Sequence, residues 1–344
     1  MRADTTDMPA MNASSPSLAP LDVKPELRLP AGTAPVVCVD IGGTKISVQV
    51  VSDVGASGQL IEPTVKHGAP DALAQQVLRM IGASCGTAQV NLGDIKAVGV
   101  ASCGPFVLNQ GAVELASPNI CGGLAGSGRG LPNDWTTAAL EAPLRSVFGQ
   151  ARVRVENDGI AALQAERRWG ALQGVDHCAY VTWSTGIGVG LCVDGRVLRG
   201  KNGNAGHAGH MFVSDNFDAL CGCGNIGDVE ALVAGNALPR RFPVYPSAAS
   251  ILIAANAGDM CAIDIVDNIC RVLGRALYNL IVTLDLQRIS LGGSVFWHHR
   301  DLLLPKLKAE IAGKLPALTD GCTLVPAGLG LQVGDFAALA LLSA

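Results

Sequence analysis

Three glycine-rich turns each follow an apolar run and offer bare backbone N–H groups to an anion. They are Asp40-Ile41-Gly42-Gly43-Thr44-Lys45, Ser184-Thr185-Gly186-Ile187-Gly188-Val189-Gly190 and Gly292-Gly293-Ser294. With no Cβ in the way, N–H groups at such turns approach phosphate oxygens closely. Thr44 adds a hydroxyl, and Asp40, at the end of a buried strand, can hold Mg²⁺ through water. The third turn is a flat edge on which an adenine can lie. Neither G-x-x-x-x-G-K-[ST] nor a strand–GxGxxG–helix unit occurs. Any one of these turns is equally an ordinary tight turn. Three at strand ends, spread over both halves, point to phosphate handling.

Two α/β units must position these turns. The run 36–41 reads as a buried strand, 42–44 as a hairpin turn and 46–51 as the returning strand. Helical periodicity follows at 71–84, a buried strand at 96–103, a helix at 135–147 and a strand at 153–155. A second cycle runs through a helix at 159–169, strands at 178–183 and 187–193 about the turn 184–186, and a short strand near Val197. Residues 200–227 are rich in glycine and cysteine with little regular structure. A long helix at 263–284, a strand at 289–291 and a closing helix within 336–342 end the chain. Two hairpins, each opening an α/β unit, predict a duplicated architecture with a cleft between its halves.

Composition narrows the class. The 344 residues are 49% hydrophobic and 16% charged, a globular balance with enough chain for two domains. Lys and Arg number 25 against 29 Asp and Glu, giving a net charge of −4, and the basic residues are scattered. A nucleic-acid surface would concentrate them on one face. No apolar run reaches the length of a membrane span, and Asp4, Asp7 and Pro9 interrupt the place of a secretory core, so a cytoplasmic protein is expected. Residues 1–35 hold six of 18 prolines and read as a disordered tail. Most of the eleven cysteines, Cys38, Cys103, Cys178, Cys192 and Cys270 among them, lie in apolar stretches as buried thiols. Cys221 and Cys223, one residue apart among glycines, look like ligands.

From Val36 onward the chain resembles the ROK family of bacterial sugar kinases and repressors. The matching stretches are Asp40–Lys45, Pro118-Asn119, Glu156-Asn157-Asp158, Ser184–Gly190, Gly206-His207-Ala208-Gly209-His210, Cys221-Gly222-Cys223-Gly224, Gly227-Asp228-Val229-Glu230 and Gly292-Gly293-Ser294. The resemblance implies an actin-like ATPase (hexokinase/ribonuclease H-like) fold of two duplicated α/β domains around a cleft. It implies ATP-dependent phosphorylation of a hexose with Mg²⁺, a structural zinc, and frequently a homodimer. On this reading residues 36–155, joined by the closing helix 333–344, form one domain. Residues 156–332 form the other, with a zinc-type insertion at 200–230.

Asp158 matches the family's catalytic base. A sugar hydroxyl must lose a proton as it attacks the γ-phosphorus, and a cleft carboxylate can accept it. Asn157-Asp158 is equally a helix N-cap. Asn119, Asn157, His210 and Glu230 fall on family positions that hydrogen-bond sugar hydroxyls, although Glu230 also suits the first turn of a helix. Asp40, Gly42, Gly43, Thr44, Lys45, Thr185, Gly186, Gly292 and Gly293 fall on the ATP- and phosphate-binding positions.

Two departures set this chain apart. His207 stands where most members have Glu, and with the Ser-Thr-Gly turn and the segment Pro118–Gly123 it is similar to bacterial N-acetylmannosamine kinases. That favours N-acetyl-D-mannosamine, converted to its 6-phosphate in sialic acid catabolism, over glucose or N-acetylglucosamine. Asp228 stands where the family's zinc motif has a third Cys. His210, Cys221, Cys223 and Asp228 can still make a tetrahedral, structural zinc site, or Asp228 can serve only as an N-cap. A DNA-binding regulator would carry a winged-helix segment ahead of the kinase-like part, where only the Pro-rich residues 1–35 stand; a sugar sensor without catalysis would not need Asp158 and three phosphate turns.

Overall fold

The computed structural model describes residues 25–124, 130–148, 152–215 and 218–342. Strand β1 (Val36–Ile41) pairs antiparallel with β2 (Lys45–Ser52), and β2 with β3 (Gly55–Pro63). Every residue of β1 except Asp40 is buried, as a central strand covered on both faces requires. Helix α1 (Ala72–Thr87) buries Leu73, Val77, Met80 and Ile81 at helical spacing in the same core. Strand β4 (Ala97–Ser102) runs parallel to β1. A small antiparallel sheet follows, made of β5 (Phe106–Asn109), β6 (Ala112–Leu115) and β7 (Ala138–Ala139). Helix α2 (Glu141–Phe148) then leads to β8 (Arg152–Asn157), parallel to β4, giving the order β3-β2-β1-β4-β8.

Helix α3 (Asp158–Trp169) carries the chain into a second sheet. Strands β9 (Cys178–Trp183), β10 (Ile187–Val193) and β11 (Arg196–Val197) form an antiparallel meander. Four helices come next: α4 (Val229–Val233), α5 (Leu238–Arg241), α6 (Ala248–Asn256) and α7 (Met260–Leu284). Strand β12 (Arg288–Gly292) runs parallel to β9. After α8 (Ser294–His298), α9 (Arg300–Ile311) and α10 (Pro316–Thr319), β13 (Thr323–Pro326) runs parallel to β12. The order β11-β10-β9-β12-β13 repeats the first sheet strand for strand. This is the duplicated α/β architecture of the actin-like ATPase fold.

Helix α11 (Val333–Ala340) closes the chain against β1, β4 and α3. Helix α3 is fastened at its far end by Glu166, which is fully buried. Its carboxylate accepts the N–H groups of Ala171 (2.8 Å), Gly328 (2.9 Å) and Leu329 (2.8 Å) and the Ser290 hydroxyl (3.1 Å). A buried carboxylate persists only with such a full set of donors. The long helix α7 buries its apolar stripe in the second core. Among the described residues no single helix is long and apolar enough to cross a membrane.

Several boundaries differ from the sequence reading. The helix read at 135–147 begins only at Glu141, because Ala138 and Ala139 pair with β6 and the Trp135 indole N–H donates to the Gly68 carbonyl at 3.0 Å. The helix that Asp228 would cap, expected over 229–236, ends at Val233. There Gly235 N–H is taken by the Ser184 carbonyl and Asn236 N–H by that of Thr185. Strands β3, β5, β6 and β13 and helix α9 gave no clear periodicity. Residues 1–24 of the tail lie outside the described residues. Its last part is ordered: Leu29 N–H donates to the Ser52 carbonyl at 2.8 Å, and Leu27 and Leu29 pack on the α11 core.

Candidate active site

A cavity of about 820 Å³ opens between the two halves. The first half brings Gly42, Gly43, Thr44 and Asn119; the junction brings Asn157 and Asp158; the second half brings Thr185, Gly186, His207, His210 and Glu230. With Cys223, twelve of the site residues singled out from the sequence line one cavity, although they span almost 190 positions of chain.

The first glycine turn sits between β1 and β2, where Gly42 N–H donates to the Lys45 carbonyl at 2.9 Å. Thr64 braces it from β3's end, its hydroxyl donating to the Gly42 carbonyl at 2.7 Å. A Cβ on Gly43 would come within 2.9 Å of the Asn119 side chain, so glycine lets the amide lie directly on the turn. The second turn is braced by Glu230, whose Oε2 accepts the Ile187 N–H at 3.0 Å. A Cβ on Gly186 would meet that oxygen at 2.7 Å. Glu230 does stand in the first turn of α4, and its carboxylate also lines the cavity; the two readings of this residue are compatible.

Asp158 occupies the hinge of the arrangement. Asn157 is the N-cap of α3, its Oδ1 accepting Gly159 N–H at 3.0 Å, and Asp158 Oδ1 shares that donor at 2.8 Å. Glycine at 159 allows α3 to start flush against β10, because a Cβ would lie 2.8 Å from the Val189 carbonyl oxygen. Asp158 thus hangs from the end of the first sheet and faces β10 of the second, where a Cβ on Gly188 would lie 3.9 Å from its Oδ1. Burial pushes its carboxyl up to about 6; the Gly159 N–H works against this and the Glu230 charge adds to it. A carboxylate tuned so is ionised at neutral pH yet basic enough to take a proton.

Asp40 lies just behind the first turn, outside the cavity lining. Its carboxyl is pushed up to about 7, first by burial and then by the Asp158 charge, with Lys45 pulling the other way. A cation beside this half-buried carboxylate would favour its ionised form. Lys45 and the third turn, Gly292-Gly293, do not line the cavity either. Gly292 packs on the Tyr180 ring, and Gly293, at φ +86°, abuts Trp183 and Thr182. Thr182 in turn lines the cavity.

His207 and His210 stand with ring centroids 6.2 Å apart and planes 24° from parallel. His207 Nδ1 lies 3.0 Å from the Asn204 carbonyl oxygen. A carbonyl only accepts, so Nδ1 carries the proton. Burial holds the ring's pKa below its usual value, which keeps the ring neutral and leaves Nε2 as a bare acceptor. The residue therefore offers the cavity an acceptor, as a carboxylate would, but without charge.

Behind His210, four donors converge. His210 Nδ1 lies 3.1 Å from Asp228 Oδ2, 3.7 Å from Cys221 Sγ and 3.6 Å from Cys223 Sγ, and Cys223 Sγ is 3.6 Å from Asp228 Oδ2. All four ligand atoms fall within 4.8 Å of one another. Bonds of about 2.0 Å to N and O and about 2.3 Å to S in a tetrahedron give edges of roughly 3.3–3.8 Å, so the donor set fits zinc. Asp228 Oδ1 meanwhile accepts Ala231 N–H at 2.8 Å as the N-cap of α4.

Some lining residues carried no sequence signal. Lys66, Asn236 and Thr182 are brought in by β3's end, the α4 exit and β9. Cys103, read as a buried structural thiol, is only half-buried and lines the cavity, because β4 ends one residue earlier.

The sequence model of the ROK family matches residues 36–343. A glucokinase from Aeropyrum pernix is 29% identical over 90% of this chain and 96% of its own length. An N-acetylmannosamine kinase from Escherichia coli O157:H7 is 30% identical over 75% of this chain and 82% of its own. The crystal structure of a ROK family glucokinase from Streptomyces griseus, in complex with glucose and AMPPNP, is 25% identical, with a TM-score of 0.69 over 90% of this chain and 100% of that one.

Proposed function

The chain belongs to the ROK family and is a sugar kinase, and we propose that its acceptor is N-acetyl-D-mannosamine, phosphorylated on the 6-hydroxyl by ATP. The observation that carries this choice is His207: a neutral imidazole with a bare Nε2 in the sugar half of the cavity, where most of the family places a carboxylate. The similarity to N-acetylmannosamine kinases supports it.

Asp158 is the general base, taking the proton of the attacking hydroxyl. Asn119, Asn157, His207, His210 and Glu230 hold the remaining hydroxyls; their convergence in one cavity supports this. The turns 42–44 and 184–186 receive the phosphates, and Gly292-Gly293 lies near the adenine. Mg²⁺ held near Asp40 would neutralise charge on the transferring phosphoryl group. Zinc held by His210, Cys221, Cys223 and Asp228 would be structural, fixing His210 and leaving its other ring edge for the sugar.

Glucose is the second reading, favoured by a glucokinase relative that covers more of the chain. An ADP-release assay comparing N-acetylmannosamine, N-acetylglucosamine, glucose, mannose and fructose decides between them. The highest kcat/KM for N-acetylmannosamine supports the first reading, and preference for glucose or N-acetylglucosamine replaces it. No turnover with any sugar would return the chain to a sensor role.

A further inference from the structure

The loop that carries His207 belongs by sequence to the second half, yet it is tied to the first. Asn204 uses both ends of its side-chain amide on one residue: Oδ1 accepts Phe106 N–H at 2.7 Å, and Nδ2 donates to the Phe106 carbonyl at 2.8 Å. Phe106 opens β5 in the small sheet of the first half. Five residues before Asn204, Arg199 Nε donates to Glu156 Oε1 on β8 at 2.7 Å. Between these ties, a Cβ on Gly203 would lie 3.5 Å from the Phe106 ring. Just beyond them, a Cβ on Gly104 would come within 2.8 Å of His207 Nε2. Segment 203–207 therefore lies along segment 104–106.

The same Asn204 supplies, through its main-chain carbonyl, the acceptor for His207 Nδ1–H. A free imidazole carries its proton on either nitrogen, and only this carbonyl requires it on Nδ1. We infer that Asn204 is a positioning residue of the sugar site: by clamping Phe106 it holds the loop where its own carbonyl fixes His207 with Nε2 as acceptor. No reading of composition or motif singled out Asn204. A two-bond amide clamp on a single peptide unit has little tolerance, because Asp lacks the donor and Gln is one methylene too long. The clamp acts on ground-state sugar binding, so its loss raises KM rather than lowering kcat.

The inference rests on the sugar-kinase reading of the cavity but not on which sugar is bound. The test measures kcat and KM for the sugar that the intact protein turns over fastest, in the wild type, Asn204→Ala, His207→Ala and the double variant. Asn204→Ala should raise KM about tenfold and leave kcat within about threefold. In the His207→Ala background it should add nothing, since two residues acting through one contact are not additive. An equal KM increase in both backgrounds, or none in either, overturns the inference. If Asn204→Ala does not fold, Asn204→Asp takes its place. ¹⁵N NMR of the His207 ring in the wild type gives a readout without turnover: Nδ1 protonated and Nε2 bare is expected, and the opposite tautomer or a charged ring overturns the inference. Absent turnover with every sugar would sink the kinase reading alone, and the ring spectrum would still judge Asn204.

Discussion

The Asp228 carboxylate splits its two oxygens between a helix and His210. Oδ1 accepts Ala231 N–H at 2.8 Å as the cap of α4, and Oδ2 lies 3.1 Å from His210 Nδ1 in the four-donor cluster. Cap and ligand looked like alternatives in the sequence. They are compatible because a carboxylate has two oxygens pointing apart, and the cap uses only Oδ1.

The two duties separate by substitution. Asp228→Asn keeps an Oδ1 cap but removes the anionic ligand, so zinc content should fall while α4 stays capped. Asp228→Ala loses both, and a lost cap adds about 1 kcal/mol. Metal content by mass spectrometry and thermal melts check the order wild type, Asn, Ala. Chelation of the wild type should lower Tm and raise sugar KM together, since His210 lines the cavity and stands in the donor cluster. Equal melts with and without chelator would show that no metal is held.

Asp158→Asn should lower kcat by about 10²–10⁴-fold and leave sugar affinity within a few-fold. In the wild type, kcat should fall with unit slope below about pH 6, where Asp158 takes up its proton. Near-normal turnover of the variant would assign the base elsewhere.

The same carboxyl has a stability signature. An aspartate in the unfolded chain ionises near 3.8, whereas Asp158 in the fold, raised by burial, ionises at about 6. The folded state thus holds the extra proton, and the stability of the neutral form is present below 3.8 and lost as pH rises through 6. Asp158→Asn should therefore raise Tm by a few degrees at pH 8 and change it little at pH 4. A destabilised variant at pH 8 would contradict the burial of this charge.

His207→Glu replaces a neutral acceptor with a charged one in the same place. If His207 sets specificity, the kcat/KM ratio of N-acetylmannosamine to glucose should shift toward glucose by about tenfold or more. An unchanged ratio would show that the N-acyl group is recognised elsewhere.

Gly159→Ala tests the packing under the site. The new Cβ would sit 2.8 Å from the Val189 carbonyl oxygen, backbone against backbone. A cost of about 1–3 kcal/mol and a drop in kcat are expected, because α3 must retreat from β10 and carry Asp158 with it. Full activity would mean that the junction is looser than its geometry.

Local sequence determined the central strands and both hairpin turns, because apolar runs and glycines act over a few residues. β1, β9 and β10 stand where their apolar residues place them, and β2 within a residue. Weakly patterned elements such as β3 and β7, held by cross-strand pairing rather than by their own periodicity, were not legible. Motifs also named several residues that line the cavity, since Asn119, Asp158, His207 and Glu230 are chemically distinctive. What tertiary structure alone decided is which atoms they present. The bare Nε2 of His207 depends on a carbonyl held by Phe106, about a hundred residues earlier in the chain. The raised carboxyl of Asp158 depends on the closure of two sheets around it. Proton position and burial are properties of contacts between distant segments, and a linear pattern carries no record of them.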